Sequence, residues 1–383
     1  MKASATMPRL RILQVTLDLS LASTGVYTTA RNFYRILTGQ GHDVCSLSFD
    51  RREYQSADRG FEIRSIPSSR LPALKRFAFS WRAASGGYDR LVAGRDALFL
   101  HSLYGYHVDW AARRVQPGQC VFVVPHGALR EMCFAYRRYR KMAWLRKMQS
   151  FFRERSTFIF SSGYERDEAL DRISPRHSEI LSWPVSPELL SDGPPLPETP
   201  VLLLAGRLHP SKRTLETVRA FRRLARPGWQ LHLAGLPSTE ISVADVCAEA
   251  GPAWERSVFY RGSLNFGELA RAYAEASGVV LLSHGENFAN AIAEGVANGC
   301  AAFITDRVGL ASEVLSHEWG MVFESHRITD TAAELEAAMD FCERDTGQAR
   351  SRRLLQSRDV FSLERFSRRL HEITAQGVER AAA

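Results

Sequence analysis

The stretch SDGPPLPETPVLLLAGRLHPSKR (Ser191–Arg213) decides how the 383-residue chain is divided. Its first ten residues hold four prolines and a glycine, which suit neither a helix nor a central strand and read as a linker. Directly after them, Val201–Ala205 is a short apolar run of the kind that forms a buried strand. Gly206–Arg213 is a loop, Thr214–Ala225 has helical spacing, and Trp229–Ala234 is a second strand ending at Gly235. Strands at Val258–Tyr260, Gly278–Leu282 and Cys300–Ile304 alternate with helices near 267–276 and 290–298. This alternation predicts a parallel sheet with helices on its faces.

The same pattern precedes the linker. Leu10–Leu17 is a strand, Thr28–Leu37 a helix stopped by Gly39 and Gly41, and Val44–Phe49 a strand. Further strands are expected at Phe61–Ile66, Ala97–His101, Cys120–Pro125 and Ser156–Ser161, with one long basic helix over Leu129–Arg155. The expected domains are therefore 1–190, a linker 191–200, a second domain 201–359, and a C-terminal segment 360–383. In that segment Phe361, Leu363, Phe366 and Leu370 form a helical stripe, and Thr374–Ala383 reads as frayed. Two doubly wound α/β domains predict a cleft facing the carboxyl ends of both sheets.

Composition excludes several classes. Hydrophobic residues make up 45% and charged residues 24%, as in ordinary globular proteins. No apolar run is long enough to span a bilayer. The basic N-terminus leads into Ile12–Leu21, which Gln14 and Asp18 interrupt, so it reads as a strand and not a secretory leader. Six cysteines (Cys45, Cys120, Cys133, Cys247, Cys300, Cys342) stand apart, without CxxC, and suit a reducing cytosol. The net charge of +8 is uneven: residues 1–190 carry 29 Lys+Arg against 17 Asp+Glu, and the remainder 21 against 25. GxGxxG, GxxxxGK[ST] and HExxH are absent. His284-Gly285-Glu286 copies half of a zinc-deaminase signature, but no PCxxC follows. No metal site and no cofactor are expected.

The chemistry concentrates in LLSHGENFANAIAEGVANG (Leu281–Gly299). Glu286 lies on the loop after a strand, and Glu294 about a turn inside the next helix. Between them, the backbone N–H groups of Phe288, Ala289, Asn290 and Ala291 form an anion site at the positive end of the helix dipole. Two carboxylates flanking a phosphate-sized site suit a nucleotide sugar, with a ribose on one side and a hexose on the other. Arg207 and Lys212, on the loop after the first strand of the same domain, suit a diphosphate and the charge that grows on it as it leaves. Singly, each of these residues also fits a solvated surface charge. Their joint placement after strands of one domain favours the site.

GRLHPSK followed by ENFANAIAEGVANGC resembles the donor-domain signature of the retaining, GT-B-fold glycosyltransferases of family 4, in particular those of bacterial polysaccharide and lipopolysaccharide assembly. The resemblance extends over Val258–Ser263, Leu269–Tyr273, Gly309, Glu313-Val314 and Gly320. In the first half, TGVYTTARNFYRILTGQGHDV resembles the family's opening glycine loop and helix, and Val124-Pro125-His126-Gly127 its His-Gly. Thr24-Gly25, Ala289, Leu282-Ser283 and Val308-Gly309 depart from the usual residues, but none of these removes a charged binding group.

The resemblance implies a GT-B fold, with a last helix crossing back to the first domain, and metal-independent hexosyl transfer from a nucleotide-diphosphate sugar to a glycan or lipid-linked acceptor. Arg207 and Lys212 would bind the diphosphate, Glu286 the sugar hydroxyls and Glu294 the ribose. Gly25 would allow close backbone approach to the phosphate, and His126 would sit at the reaction centre, although on spacing it also fits an ordinary turn histidine. A double displacement needs a nucleophilic carboxylate under the anomeric carbon. With Glu286 assigned to hydroxyls, front-face attack is the expected route. A nucleotide-sugar epimerase of the same shape and a non-catalytic sugar-nucleotide-binding protein are the alternatives.

The stretch Leu129–Arg155 holds nine Lys or Arg against two Glu. It fits either a helix with a solvated cationic face or one that attaches to an anionic bilayer through Arg137, Arg138, Arg140, Lys141, Trp144 and Lys147. A second basic-aromatic stretch, Arg70–Arg82, and the acidic second half favour a peripheral enzyme at the inner face of the cytoplasmic membrane. Charge alone would also allow nucleic acid, but no recognition motif accompanies it.

Overall fold

Strand β1 (Arg11–Thr16) is buried at every position but its first, because it lies in the middle of a sheet with both faces covered. The computed structural model describes residues 8–17, 19, 25–50, 55–58, 60–71, 74, 77–191 and 199–382. These fall into two units, residues 1–181 with 367–383 and residues 182–366.

In the first unit, β1 is joined by β2 (Asp43–Ser48), β3 (Gln55–Asp58), β4 (Phe61–Ser65), β5 (Ala97–His101), β6 (Cys120–Val124), β7 (Ser156–Phe160) and β8 (His177–Ile180). The order is β3-β4-β2-β1-β5-β6-β7-β8, parallel throughout except for the edge strand β3. Ile12 pairs with Val44 on one side and Ala97 on the other, so the strand order reverses at β1/β5. Helix α1 (Gly25–Gly39) covers one face with Ala30, Phe33, Tyr34 and Leu37, at the three- and four-residue steps that bring side chains onto one stripe. Polar β3 and β8 carry too little hydrophobic alternation to announce themselves in sequence.

The expected single basic helix is two, α2 (Glu131–Ala135) and α3 (Arg138–Arg155). The break is at Tyr136-Arg137, where Arg137 takes a left-handed conformation at φ 59° that no α-helix can carry through. Of α3, only Leu145, Met148 and Phe152 are fully buried. Helix α4 (Gly163–Leu170) follows β7, its N-cap Ser162 accepting from the Glu165 N–H.

The second unit has the order β11-β10-β9-β12-β13-β14, all parallel: β9 (Val201–Ala205), β10 (Gln230–Ala234), β11 (Val258–Gly262), β12 (Gly278–Leu281), β13 (Ala301–Thr305) and β14 (Gly320–Phe323). Its reversal lies between β9 and β12, and the loops leaving those two strands are the ones singled out by the sequence. Ligands in such sheets bind at the carboxyl ends of the strands beside the reversal. Helices α5 (Thr214–Leu224), α6 (Phe266–Glu275) and α7 (Asn290–Ala297) connect the strands, and α8 (Gly347–Val360) packs along α7.

The units divide at Leu181, earlier than the expected 190. Trp183 packs on Phe288 and Phe366, Val185 N–H donates to Phe361 C=O, and Leu189 C=O accepts from Asn298, all within the second unit. Most of the linker, residues 192–198, lies outside the described residues, as do Thr24 and part of Arg70–Arg82. The expected fraying of Thr374–Ala383 is corrected. Helix α9 (Leu363–Ala382) is continuous, Thr374 is fully buried, and Gly377 lies so close to Phe122 that an added Cβ would be 2.4 Å from its ring. Ser367 onward belongs to the first unit, where Gln40 donates to the Ser367 carbonyl and Arg369 pairs with Glu179.

Candidate active site

The loop after β9 begins with a forced close approach. Gly206 (φ 135°) and Gly235 (φ 146°) take conformations closed to other residues, and a Cβ on Gly235 would lie 2.0 Å from the Gly206 oxygen. Pairing therefore continues past the strands: Gly206 N–H donates to Ala234 C=O and Leu208 N–H to Leu236 C=O. His209 Nδ1 accepts from the Ser211 N–H, tightening the turn, and the Ser211 carbonyl accepts from the N–H of His284 at 2.8 Å. That last bond ties the loop after β9 to the loop after β12.

Tied in this way, the two loops bring Lys212 and Glu286 together with Nζ to Oε1 at 2.5 Å, both side chains mostly buried. The Glu286 backbone is held in turn, its N–H donating to Arg307 C=O and its C=O accepting from Gly309 N–H. Arg207 is exposed and has no acid partner among the described residues. Sequence reasoning missed Arg213. It is buried at φ 53°, with Nη1 3.4 Å from Ile328 C=O and Nη2 3.4 Å from His284 Nδ1 on the loop after β12. A third cation beside Lys212 gave no separate signal.

Helix α7 starts after Ala289 (φ 69°), whose methyl group cannot cap the first N–H groups. The Phe288 side chain belongs to the core, against Trp183 and Phe361, which leaves the site only its backbone. Asn290 is exposed at the helix start. Glu294, one turn in, accepts from the buried Tyr273 hydroxyl at 2.7 Å. Burial raises its pKa above the ordinary glutamate value, and the Tyr273 hydrogen bond partly offsets this. At the other end of α7, helix α8 supplies donors to its last carbonyls: Ser357 to Val296, Arg358 to Ala297, and Arg353 to Gly299. Cations at that end complement the dipole whose positive end faces the loops. These arginines lie some 60 residues from α7, and no local pattern marked them.

In the first unit, His126 follows β6 at φ 51°, ahead of Gly127 at φ 76°. The buried Glu165 carboxylate holds this turn, Oε1 accepting from Gly127 N–H at 2.6 Å and Oε2 from Ser161 N–H and Oγ. His126 Nε2 is 3.0 Å from Nδ1 of the fully buried His101. Burial depresses the His126 pKa to about 4. Gly25 opens α1 on the surface, where an added Cβ would meet nothing within 4 Å, so the fold itself does not require a glycine there.

The expected membrane face is split by the structure. Trp144 Nε1 donates to Asp109 Oδ2 at 2.7 Å, and Lys147 pairs with the other oxygen of the same carboxylate. Lys141 lies over the Tyr104 ring and donates to the Cys133 carbonyl. These three hold α3 to its own unit. Arg137, Arg138 and Arg140 are exposed beside Tyr136 and Tyr139, the latter 90% exposed. Among the described residues, no helix is long and apolar enough to cross a membrane, and no three His, Cys, Asp or Glu gather as metal ligands.

Residues 199–340 match the family described as Glycosyl transferases group 1. Among solved structures, the chain is similar to a sucrose-phosphate synthase from Thermosynechococcus elongatus (17% identity, 97% of this chain and 100% of that one, TM-score 0.77). It is also similar to WaaG, a glycosyltransferase involved in lipopolysaccharide biosynthesis (13%, 94% and 99%, 0.68), and to Anabaena HepE in complex with UDP and glucose (13%, 96% and 100%, 0.69). At these identities the likeness is one of fold, and that fold is GT-B. No curated protein matches the sequence.

Proposed function

We propose that the chain, whose residues 199–340 match the glycosyl transferases group 1 family, is a retaining, metal-independent glycosyltransferase. It moves a sugar from a nucleotide-diphosphate sugar to a glycan or lipid-linked acceptor in cell-surface polysaccharide assembly. The observation that carries this reading is the Lys212–Glu286 pair beside the uncapped start of α7, with Glu294 one turn beyond. A diphosphate placed there meets a helix dipole and two cations, Lys212 and Arg207. A hydroxyl donor meets Glu286 on one side and Glu294 on the other. The UDP and glucose held by HepE are ligands of the same kind.

Because Lys212 already shares its charge with Glu286, an incoming phosphate takes over part of that pairing and frees the carboxylate for sugar hydroxyls. Negative charge growing on the departing diphosphate is stabilised by the same ammonium, Arg207 and the N–H groups of Phe288, Ala289 and Asn290. His126 meets the sugar at the reaction centre. The departing phosphate takes the acceptor's proton, so no protein carboxylate is needed beneath the anomeric carbon.

A thermal-shift screen of nucleotide sugars against the full chain, followed by transfer assays, tests the reading. The right donor at a hundred times its Kd stabilises the fold by about 2.7 kcal/mol. Glu286→Gln and Lys212→Ala lose transfer. Unaltered transfer in both variants would sink the proposal, and conversion of donor without acceptor would point to an epimerase.

Attachment to an anionic bilayer, at the inner face of the cytoplasmic membrane, is proposed for the exposed Arg137, Arg138 and Arg140 with Tyr136 and Tyr139. Each surface-near cation contributes about 1 kcal/mol. Flotation with phosphatidylglycerol vesicles at low salt should recover the protein, and the triple Arg→Ser variant should not float.

A further inference from the structure

We propose that Gln14 and His101 form a buried relay that holds His126 in one tautomer, with its proton on Nε2 and its acceptor on Nδ1. The inference rests on the reading of His126 as a residue of the reaction centre, and it assigns two positioning residues behind it.

The relay runs sideways across the first sheet, through neighbouring strands β2, β1 and β5 to the turn after β6. Ser46 on β2 pairs directly with Gln14 on β1, and His101 closes β5 opposite Val124, two residues before His126. Gln14 and His101 are fully buried and Ser46 is 1% exposed. Polar groups at such depth are tolerated only when they are hydrogen-bonded, and these are linked end to end. Gln14 Nε2 donates to Ser46 Oγ at 3.3 Å, and its Oε1 stands 3.0 Å from His101 Nε2. An amide oxygen only accepts, so His101 carries its proton on Nε2 and presents a lone pair at Nδ1. That lone pair faces His126 Nε2 at 3.0 Å, so the His126 proton sits on Nε2 and Nδ1 is its acceptor.

The surroundings keep this arrangement neutral and in place. Burial, with His126 and His107 nearby, holds His101 well below the ordinary histidine pKa. His107 Nε2 donates to the His101 carbonyl at 2.9 Å, the Phe33 and His101 rings meet in a T-shaped contact, and Glu165 clamps the turn at Gly127. At neutral pH, the variable left to the His126 ring is which nitrogen carries the proton. An Nδ1 acceptor takes a hydrogen bond from a hydroxyl, whereas the other tautomer would present a donor. The relay thus commits His126 to receiving a sugar hydroxyl.

The test is the tautomer itself, read by long-range proton–nitrogen correlation on the full-length, ¹⁵N-histidine-labelled protein. Wild type should show His126 protonated on Nε2. Gln14→Met and His101→Phe keep the bulk but remove an acceptor. Each should give a mixture of tautomers and lower kcat by about tenfold or more, with donor KM unchanged, as a misdirected histidine does. His101→Asn, whose amide oxygen can stand where Nδ1 stood, should restore much of both. A wild-type proton on Nδ1 overturns the relay without any variant, and so does a tautomer unmoved by Gln14→Met and His101→Phe. A tautomer that moves while kcat stays constant confirms the relay and overturns the role given to His126.

Discussion

The two units solve the same problem, holding polar atoms at a strand end beside a strand-order reversal, by opposite means. In the second unit the site is ionic. Lys212 and Glu286 keep 17% and 22% of their side-chain surface in contact with solvent, which leaves the pair open to an incoming anion. In the first unit the site is neutral. Histidines 101, 107 and 126 are pressed below their ordinary pKa by burial and joined by hydrogen bonds that specify direction without charge. Depth decides between the two devices, because a charge can be recruited by a ligand only while it is partly solvated, whereas a lone pair can be aimed from a dry interior.

Lys212→Ala should break the ionic side most severely. On the proposed reading it removes a cation assigned to the diphosphate, and it takes away the ammonium paired with Glu286, so turnover should fall by about 100-fold or more. Steady-state transfer kinetics would show it, and a fall under tenfold would remove Lys212 from the charge-stabilising role. Acid should separate the units next. A histidine whose folded pKa is depressed binds fewer protons folded than unfolded, so its stability contribution is lost as pH falls from about 6.5 towards about 4. His107 alone accounts for about 3 kcal/mol. In the second unit His232 and His284 pull the same way, His284 from a more exposed position. Glu294 acts in reverse: its folded pKa is raised, so its contribution is present at low pH and lost as pH rises through that pKa. Hydrogen exchange between pH 7 and 4.5 should therefore show the first unit opening before the second.

A third prediction addresses the C-terminal helix. Gly377→Leu drives a side chain into Phe122 and should destabilise the first unit by about 2 kcal/mol, read by urea unfolding, with little effect on donor binding. An unchanged midpoint would mean that the end of α9 does not pack on Phe122. The smallest effect expected is from Tyr273→Phe. Loss of its hydrogen bond to Glu294 should weaken stability by about 1 kcal/mol and raise the Glu294 pKa further, moving the pH dependence of donor affinity upward.

Much of this was legible locally. The strands β1, β5, β6, β9, β12 and β13 are buried on both faces and therefore appear as apolar runs. Glu286, Glu294, Arg207 and Lys212 stand out because each follows such a run at a fixed distance. What stayed hidden depended on partners far away in sequence. The break at Arg137 follows no proline or glycine, the C-terminal residues look polar and frayed until Phe122 is set against Gly377, and β3 and β8 are polar edge strands. Trp144 and Lys147 read as membrane-facing until Asp109, 35 and 38 residues earlier, claims them both.

By itself, the sequence determined the two α/β units and which loops carry charge, because hydrophobic runs and the residues that follow them are properties of neighbouring positions. Only the tertiary structure decided which charges meet, where the units divide and how His126 is held. Lys212 reaches Glu286 across 74 residues, and Gln14 reaches His101 across 87. Such pairings exist only once parallel strands bring their carboxyl ends side by side, and no local spacing encodes them.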